Sequence, residues 1–535
     1  MNFFLKQLEL LYNNKKEVFY LIILFFFSIS INQYYGNLGV CPIDSFWFFN
    51  SGYDALNGYY PFKDYWTITG PFITFFQAIL FKLFGVTWFI YVFHASLFNF
   101  FITMTTYYVL KNFSLNINYC FFYAIIVAIF SYPSAGTPFV DHHASIISII
   151  SVLFFVLVVK KNSYILWFLL PIILGISFLS KQTPTSHIVL IISFLSVVYF
   201  LINFNIKKIL LASFGSLLII SFFFIVIFYY KIPFESFYEQ YISFPLTIGA
   251  GRFENFLFPL DFKRAILNFK FIHIPILVLI FIAIQKIRNN RKYLKSNDFI
   301  IILTLMFSSY ALMVHQLMTL NGMFVFFIVP IMTAFAHIYC KEYYKDNKKF
   351  LYVEFFILLS ISCATYYGYK YIHKRDFMDL RKANFNQTID AKIIDNKLSG
   401  LKWISCKYPQ DSEKEIKNLL ETIAIIKKDE RKKSIFTDYQ FISVILSIYD
   451  YSPTQIWFIN HVANHNKESK FYKNYKKLLV NKIKKNKIKI VYLIKPLFAS
   501  EKIFENSINE NCYKKLEITE ILDAYLIKEC NDLKN

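Results

Sequence analysis

Apolar residues run along this chain in blocks. Over the first 370 positions, apolar stretches alternate with short polar or basic connections, and beyond that point the sequence turns mixed and charge-rich. Most blocks approach the length that a helix rising 1.5 Å per residue needs to cross a bilayer. The pattern predicts eleven spanning helices, at 17–35, 86–110, 119–132, 144–159, 164–179, 184–204, 209–230, 271–284, 299–314, 322–339 and 350–369. A further apolar stretch, Gly70 to Gly85, carries Gln77 and Lys82 and is expected to lie in the membrane interface.

With these spans, the basic short connections (Lys15-Lys16, Lys111, Lys160-Lys161, Lys207-Lys208, QKIRNNRKYLK and KEYYKDNKK) all fall on one side. The excess of Lys and Arg in cytoplasmic loops assigns that side to the cytoplasm. The amino terminus is then cytoplasmic and the tail extracytoplasmic, in a plasma (inner) membrane protein. Lys6, Lys15 and Lys16 precede the first block without a small-residue cleavage site, as expected of an uncleaved first helix. The tail alternates strand-like runs (434–437, 455–459, 488–494) with helix-like ones (412–428, 469–485), which predicts a small α/β domain. The expected fold class is an α-helical polytopic membrane protein of about eleven spans, residues 1–370, with outer-loop helices at 44–85 and a C-terminal α/β domain over 371–535.

Composition narrows the function classes. At 535 residues, 56% hydrophobic and 17% charged, the chain is too apolar for a soluble multidomain enzyme. Much of the Lys and Arg behind its net charge of +22 sits in short loops between apolar blocks, which gives no reason to invoke nucleic acid. Seven cysteines form no CxxC pair, so a zinc or redox site has no support, although Cys512 and Cys530 can pair on an oxidising side. No Walker loop, GxGxxG or GxSxG element is present.

Candidate chemistry starts at Cys41 to Pro71, directly after the first span, where three acids stand in aromatic-rich sequence. Phe46, Phe49, Tyr53 and Leu56 recur at helical spacing, predicting an amphipathic helix over 44–57 that ends at Asn57-Gly58. Asp44 stands where a helix N-cap is wanted. Asp54 lies ten residues on, rotated by roughly 80° on a regular helix, and is expected on a solvated polar stripe.

An acid past the first span, then NGYYPFKDYWTITGP, then a short apolar segment closing with LFG, resembles the first extracytoplasmic loop of GT-C glycosyltransferases. These polytopic enzymes take sugar from a polyprenyl-phosphate carrier, as the protein O-mannosyltransferases and lipid A aminoarabinose transferases do. The residues carrying the resemblance are Asp44, Gly58, Pro61-Phe62, Asp64, Pro71 and Leu83-Phe84-Gly85, followed at the second outer loop by Val140-Asp141-His142-His143. Where the family frequently has an acidic pair, Asp44 is followed by Ser45, and the tail matches nothing in the family's pattern.

The resemblance implies inverting transfer of a sugar from a polyprenyl-phosphate-linked donor to an extracytoplasmic glycolipid, polysaccharide or protein, with a membrane lipid carrier and a glycan or lipid acceptor as partners. An acceptor hydroxyl must lose a proton, a task for a carboxylate, and Asp44 is the candidate base. The leaving phosphate needs cations, and topology offers Lys181, Arg252 and Lys82. Asp64, Asp141, His142, His143 and His315 complete the candidate substrate-binding set. No cofactor is expected. A divalent metal on Asp141-His142-His143 is the one alternative, and adjacent residues on a helix point about 100° apart, so one His at most would join Asp141.

The competing reading is a transporter or flippase for lipid-linked sugars. That function wants charges along a path through the bilayer. Glu354 is the one clearly intramembrane acid, and the remaining acids cluster in outer loops, which favours chemistry at one surface. A membrane scaffold with a partner-binding tail is the third possibility.

Overall fold

The computed structural model describes residues 15–254, 261–319, 321–344, 349–457, 469–497 and 502–529. Among these residues, nine helices are long and apolar enough to cross a membrane: Lys15–Gly36, Trp88–Asn112, Val140–Lys161, Thr185–Ile202, Ile206–Tyr229, Lys270–Asn289, Asn297–Thr319, Val325–Tyr344 and Leu351–Met378. Ile117–Phe130 and Tyr164–Phe178 are apolar but shorter, so each of the eleven expected blocks is helical. Pro71–Phe84 is a separate short apolar helix. Local signals explain the ends. Asn116 caps the helix from Ile117 by accepting from the backbone N–H of Asn118, and Asn162 ends Val140–Lys161 in the left-handed region at φ 56°.

The chain divides into two compact units. One takes Met1–Gly36, Val92–Phe223 and Phe256–Phe377, and the other Asn37–Tyr91, Phe224–Asn255 and Met378–Asn535. The tail therefore shares its unit with the loop after the first helix and with the segment after Phe223.

In the first unit, Val140–Lys161 is central, with 94% of its most apolar window buried, and Thr185–Ile202 is peripheral at 28%. Side-chain amides tie its helices together. Asn32 donates to Ser96 Oγ (3.0 Å) and to the carbonyl of Gly136 (3.1 Å), and Asn99 donates to the carbonyls of Ser28 (2.8 Å) and Ala128 (2.9 Å). Gly36 and Gly136 let two backbones meet, since a Cβ at Gly36 would lie 2.6 Å from the Gly136 carbonyl oxygen.

The second unit contains two sheets. Strand β1 (Leu38–Val40) follows the first helix, and β2 (Ile389–Asp390) and β3 (Lys402–Ser405) come from the tail; their order is β1-β3-β2, with β1 parallel to β3. A disulfide between Cys41 and Cys406, 365 positions apart, closes the same junction. The second sheet holds β4 (Lys433–Phe436), β5 (Ile490–Ile494), β6 (Tyr513–Thr519) and β7 (Leu522–Ile527) in the order β4-β5-β7-β6. Strands β4 and β5 are parallel and the other pairings antiparallel.

Sequence periodicity anticipates the helix Ser412–Lys428 and strands β4 and β5. The expected strand over 455–459 is irregular in its described part, 455–457, and its remainder lies outside the described residues. Cys512 is disulfide-bonded, and Cys530, its expected partner, lies outside the described residues.

Candidate functional site

The helix expected over 44–57 is two helices, Pro42–Ser45 and Trp47–Leu56, with the chain turning at Phe46. Proline at the first helical position sets the start of the short one. Its N-cap is Cys41, so Asp44 occupies the first turn and is not the cap. Ser45, where the GT-C pattern frequently places an acid, accepts a hydrogen bond from the Cys41 N–H through Oγ (3.0 Å). Asp44 is half-buried on this turn. One side of the turn is held by the Cys41–Cys406 disulfide and the β1/β3 ladder, the other by Phe46, fully buried and stacked on Trp403 at 5.7 Å. The backbone that carries Asp44 is thus fastened on both sides.

Asp64 shapes its own turn. Its Oδ2 accepts from the Tyr60 N–H (2.8 Å), and its carbonyl accepts from the Tyr449 hydroxyl (3.2 Å). Asp54 corrects the expectation of a solvated stripe, for only 1% of its surface is exposed. The tail covers it: Gln455 donates to Asp54 Oδ2, and Asp450 and Lys482 lie close enough to act on its charge. Burial and the neighbouring Asp450 charge push the Asp54 carboxyl well above the usual range. Burial likewise pushes Asp450 up to about 6 and pulls Lys482 down to about 8. Lys482 donates to the Tyr449 hydroxyl (2.6 Å) and the Ser452 carbonyl (2.7 Å), and Ser443 Oγ donates to Asn50 Oδ1 (2.6 Å). The stripe of Asn50 and Asp54 thus faces a polar core, where an amphipathic pattern alone reads as solvent.

Gln240 ties a third segment in. Its Oε1 accepts from the Thr67 N–H (3.0 Å), and its Nε2 donates to the Phe62 carbonyl (3.3 Å). Arg252, one of the candidate cations, is half-buried in the helix Phe244–Glu254. Lys82 is exposed in the last turn of Pro71–Phe84.

In the first unit, three of the predicted residues converge. Asp141, at the start of Val140–Lys161, pairs with Lys181 through Oδ1, contacts His315 Nε2 at 2.9 Å, and accepts from Asn321 Nδ2 at 3.1 Å through Oδ2. Asp141 and His315 side chains are 3% and 2% exposed, whereas Lys181 keeps 21%. With three partners, the carboxylate is committed to holding Lys181 and His315, and the ammonium is the group left with an open side. His142 and His143 turn elsewhere. His142 Nε2 meets Ser134 Oγ at 2.7 Å, and His143 meets Tyr132 through Nδ1 and His94 Nε2 at 2.9 Å. Among the described residues, no group of three or more His, Cys, Asp or Glu side chains has an arrangement suited to a metal ion.

Asn321, His94 and Arg375 join this assembly without a signal in the sequence. Arg375, fully buried, donates to the carbonyls of Pro133 (3.0 Å), Ser134 (3.1 Å) and Ala135 (2.9 Å), and so fixes the loop that leads into Asp141.

No protein-family model matches the chain, and no curated protein matches it either. Among solved structures, the chain is similar to three of an oligosaccharyltransferase from Archaeoglobus fulgidus. With the form tethered to an acceptor peptide containing the NVT sequon, identity is 12% over 90% of this chain and 70% of that one, at a TM-score of 0.45. With its complex with Zn and sulfate the values are 13%, 89%, 68% and 0.44. With the enzyme AglB in complex with an inhibitory peptide and a dolichol-phosphate they are 11%, 90%, 70% and 0.45. These values describe a distant likeness.

Proposed function

We propose that this chain is a membrane glycosyltransferase of the GT-C type, moving a sugar from a polyprenyl-phosphate carrier to an extracytoplasmic glycan, lipid or protein acceptor. The observation that carries the reading is the Asp44 turn. The acid that the sequence resemblance marks as the base stands on a short helix fastened by a disulfide, a strand pairing and a buried aromatic stack. In the reaction, Asp44 takes the proton of the acceptor hydroxyl, the oxygen attacks the anomeric carbon, and the bond to the lipid phosphate breaks with inversion. Asp64 keeps the following turn in shape. Within the first unit taken by itself, Lys181, oriented by Asp141, is a cation available to an anionic ligand.

The cysteine pattern supports the proposed topology. Cys41, Cys406 and Cys512 are disulfide-bonded and all belong to the second unit, while the free Cys120, Cys340 and Cys363 are buried in apolar helices. Disulfides persist on the oxidising side of a membrane, which favours an extracytoplasmic first loop and tail.

The test is Asp44→Asn assayed in membranes with a radiolabelled polyprenyl-phosphate sugar. Loss of a general base predicts a fall in transfer of about 10²- to 10⁴-fold, with the Cys41–Cys406 bond still formed on a non-reducing gel. Transfer at the wild-type rate from a correctly oxidised variant refutes the assignment.

A further inference from the structure

The four-stranded sheet collects cations at one edge. Because β4 and β5 run parallel, the turn leading from Ser412–Lys428 into β4 and the turn leading from the helix Tyr472–Lys485 into β5 fall at the same end of the sheet. Their sequences are KKDERKK at 427–433 and KKNKIK at 484–489. The backbone joins them: the Lys489 N–H donates to the Lys432 carbonyl (2.8 Å), and the Ile527 N–H donates to the Lys489 carbonyl (3.0 Å), which brings exposed Lys528 to this edge as well.

A lysine-rich chain scatters lysines everywhere, so the contrast with the rest of the sheet matters. Toward the opposite end the cations are matched by carboxylates: Lys495 with Asp523 (3.0 Å) and Lys414 with Glu520 (3.1 Å). At the basic edge, the ion pair found among the described residues is Arg431 with Asp429 (2.9 Å). Lys433 is absorbed by the end of Ser412–Lys428, donating to the Ile426 carbonyl (2.7 Å). Lys428, Lys485, Lys487 and Lys489 are exposed.

We propose that this edge, where β4 and β5 begin and β7 ends, is a docking surface for anionic lipid headgroups. The chemistry fits a field of phosphates better than one shaped ligand. The exposed cations are lysines, compact point charges that read charge density, while the one guanidinium, the fork suited to bidentate recognition, is occupied by Asp429. The occupant is the membrane and not a soluble polyanion, because the same chain carries helices fit to cross a bilayer. Tethering presents headgroups to the tail at a high effective concentration without a second binding partner. The inference stands apart from the catalytic reading.

The test holds the full chain in neutral-lipid nanodiscs and measures its co-sedimentation with added phosphatidylglycerol or phosphatidylcholine vesicles, with soluble polyphosphate as competitor. Binding to phosphatidylglycerol alone, screened by salt, is expected. Each lysine near an anionic surface changes affinity by about fivefold, so Lys428→Gln, Lys485→Gln, Lys487→Gln and Lys489→Gln together should weaken it by well over a hundredfold. Lys392→Gln with Lys402→Gln, exposed in the same unit away from the edge, should leave it unchanged. Absent vesicle binding, equal binding by the four-site variant, or capture of polyphosphate in preference to vesicles overturns the proposal.

Discussion

Lys482→Met tests the buried cluster that fastens the tail over the loop after the first helix. Lys482 is 7% exposed and faces Asp54 and Asp450, which are 1% and 4% exposed. Removing the ammonium leaves two buried carboxyls without their cation, and breaking a buried pair in this way costs about 3–5 kcal/mol. For a unit of this size the melting temperature should fall by about 6–20 °C at neutral pH. The pH dependence is the sharper readout. Asp450, raised to about 6, contributes stability that is present at acid pH and lost as pH rises through about 6. Lys482, lowered to about 8, contributes stability that is present at alkaline pH and lost as pH falls through about 8. Below about pH 6 Asp450 is neutral in either protein, so the penalty of Lys482→Met should shrink toward that of the lost hydrogen bonds, about 1–3 kcal/mol. Adding Asp450→Asn should restore part of the loss at neutral pH, since Asp54 is then the one buried carboxyl of the two left without the cation. The assay is thermal unfolding of the purified full chain across this pH range. A single variant as stable as wild type, or a penalty that ignores both pH and the second substitution, refutes the reasoning.

Glu415 accepts from Trp403 Nε1 (2.7 Å), Ser405 Oγ (2.8 Å) and the Tyr439 hydroxyl (2.8 Å), and burial pushes its carboxyl up to about 7. The stability it contributes is present at acid pH and lost as pH rises through about 7, so Glu415→Gln should flatten melting curves between about pH 5 and 8 while misplacing one donor at about 1–3 kcal/mol. Arg375→Lys keeps the charge but loses the fork that meets three carbonyls, and at least about 2 kcal/mol of stability should go with it, seen in melts and in faster proteolysis at 131–137. Cys41→Ser should lower stability by about 2–5 kcal/mol and remove the mobility difference between reduced and oxidised chains that this bond contributes on a gel.

Hydrophobic block length determined the spanning helices, because a bilayer forces backbone hydrogen bonds inside each segment and makes length and apolarity sufficient evidence. Gly58, Pro71 and Gly85 marked turns and helix ends for a related reason: local turns need Gly and Pro at set places. Tail helices and the buried strands β4 and β5 also showed in their periodicity. Pairing was the part that sequence left open. Nothing local tells Leu38–Val40 that it lies against Lys402–Ser405, or Cys41 that its partner stands 365 positions away. Asp54 shows the consequence. A polar stripe opposite an apolar one has the same period whether water or a second polar surface covers it, and only the tertiary structure brought Asp450, Gln455 and Lys482 over it. The convergence of Asp141, Lys181 and His315 was decided in the same way. Their residue types were readable, but only packing among their helices decided that Asp141 is spent on holding Lys181.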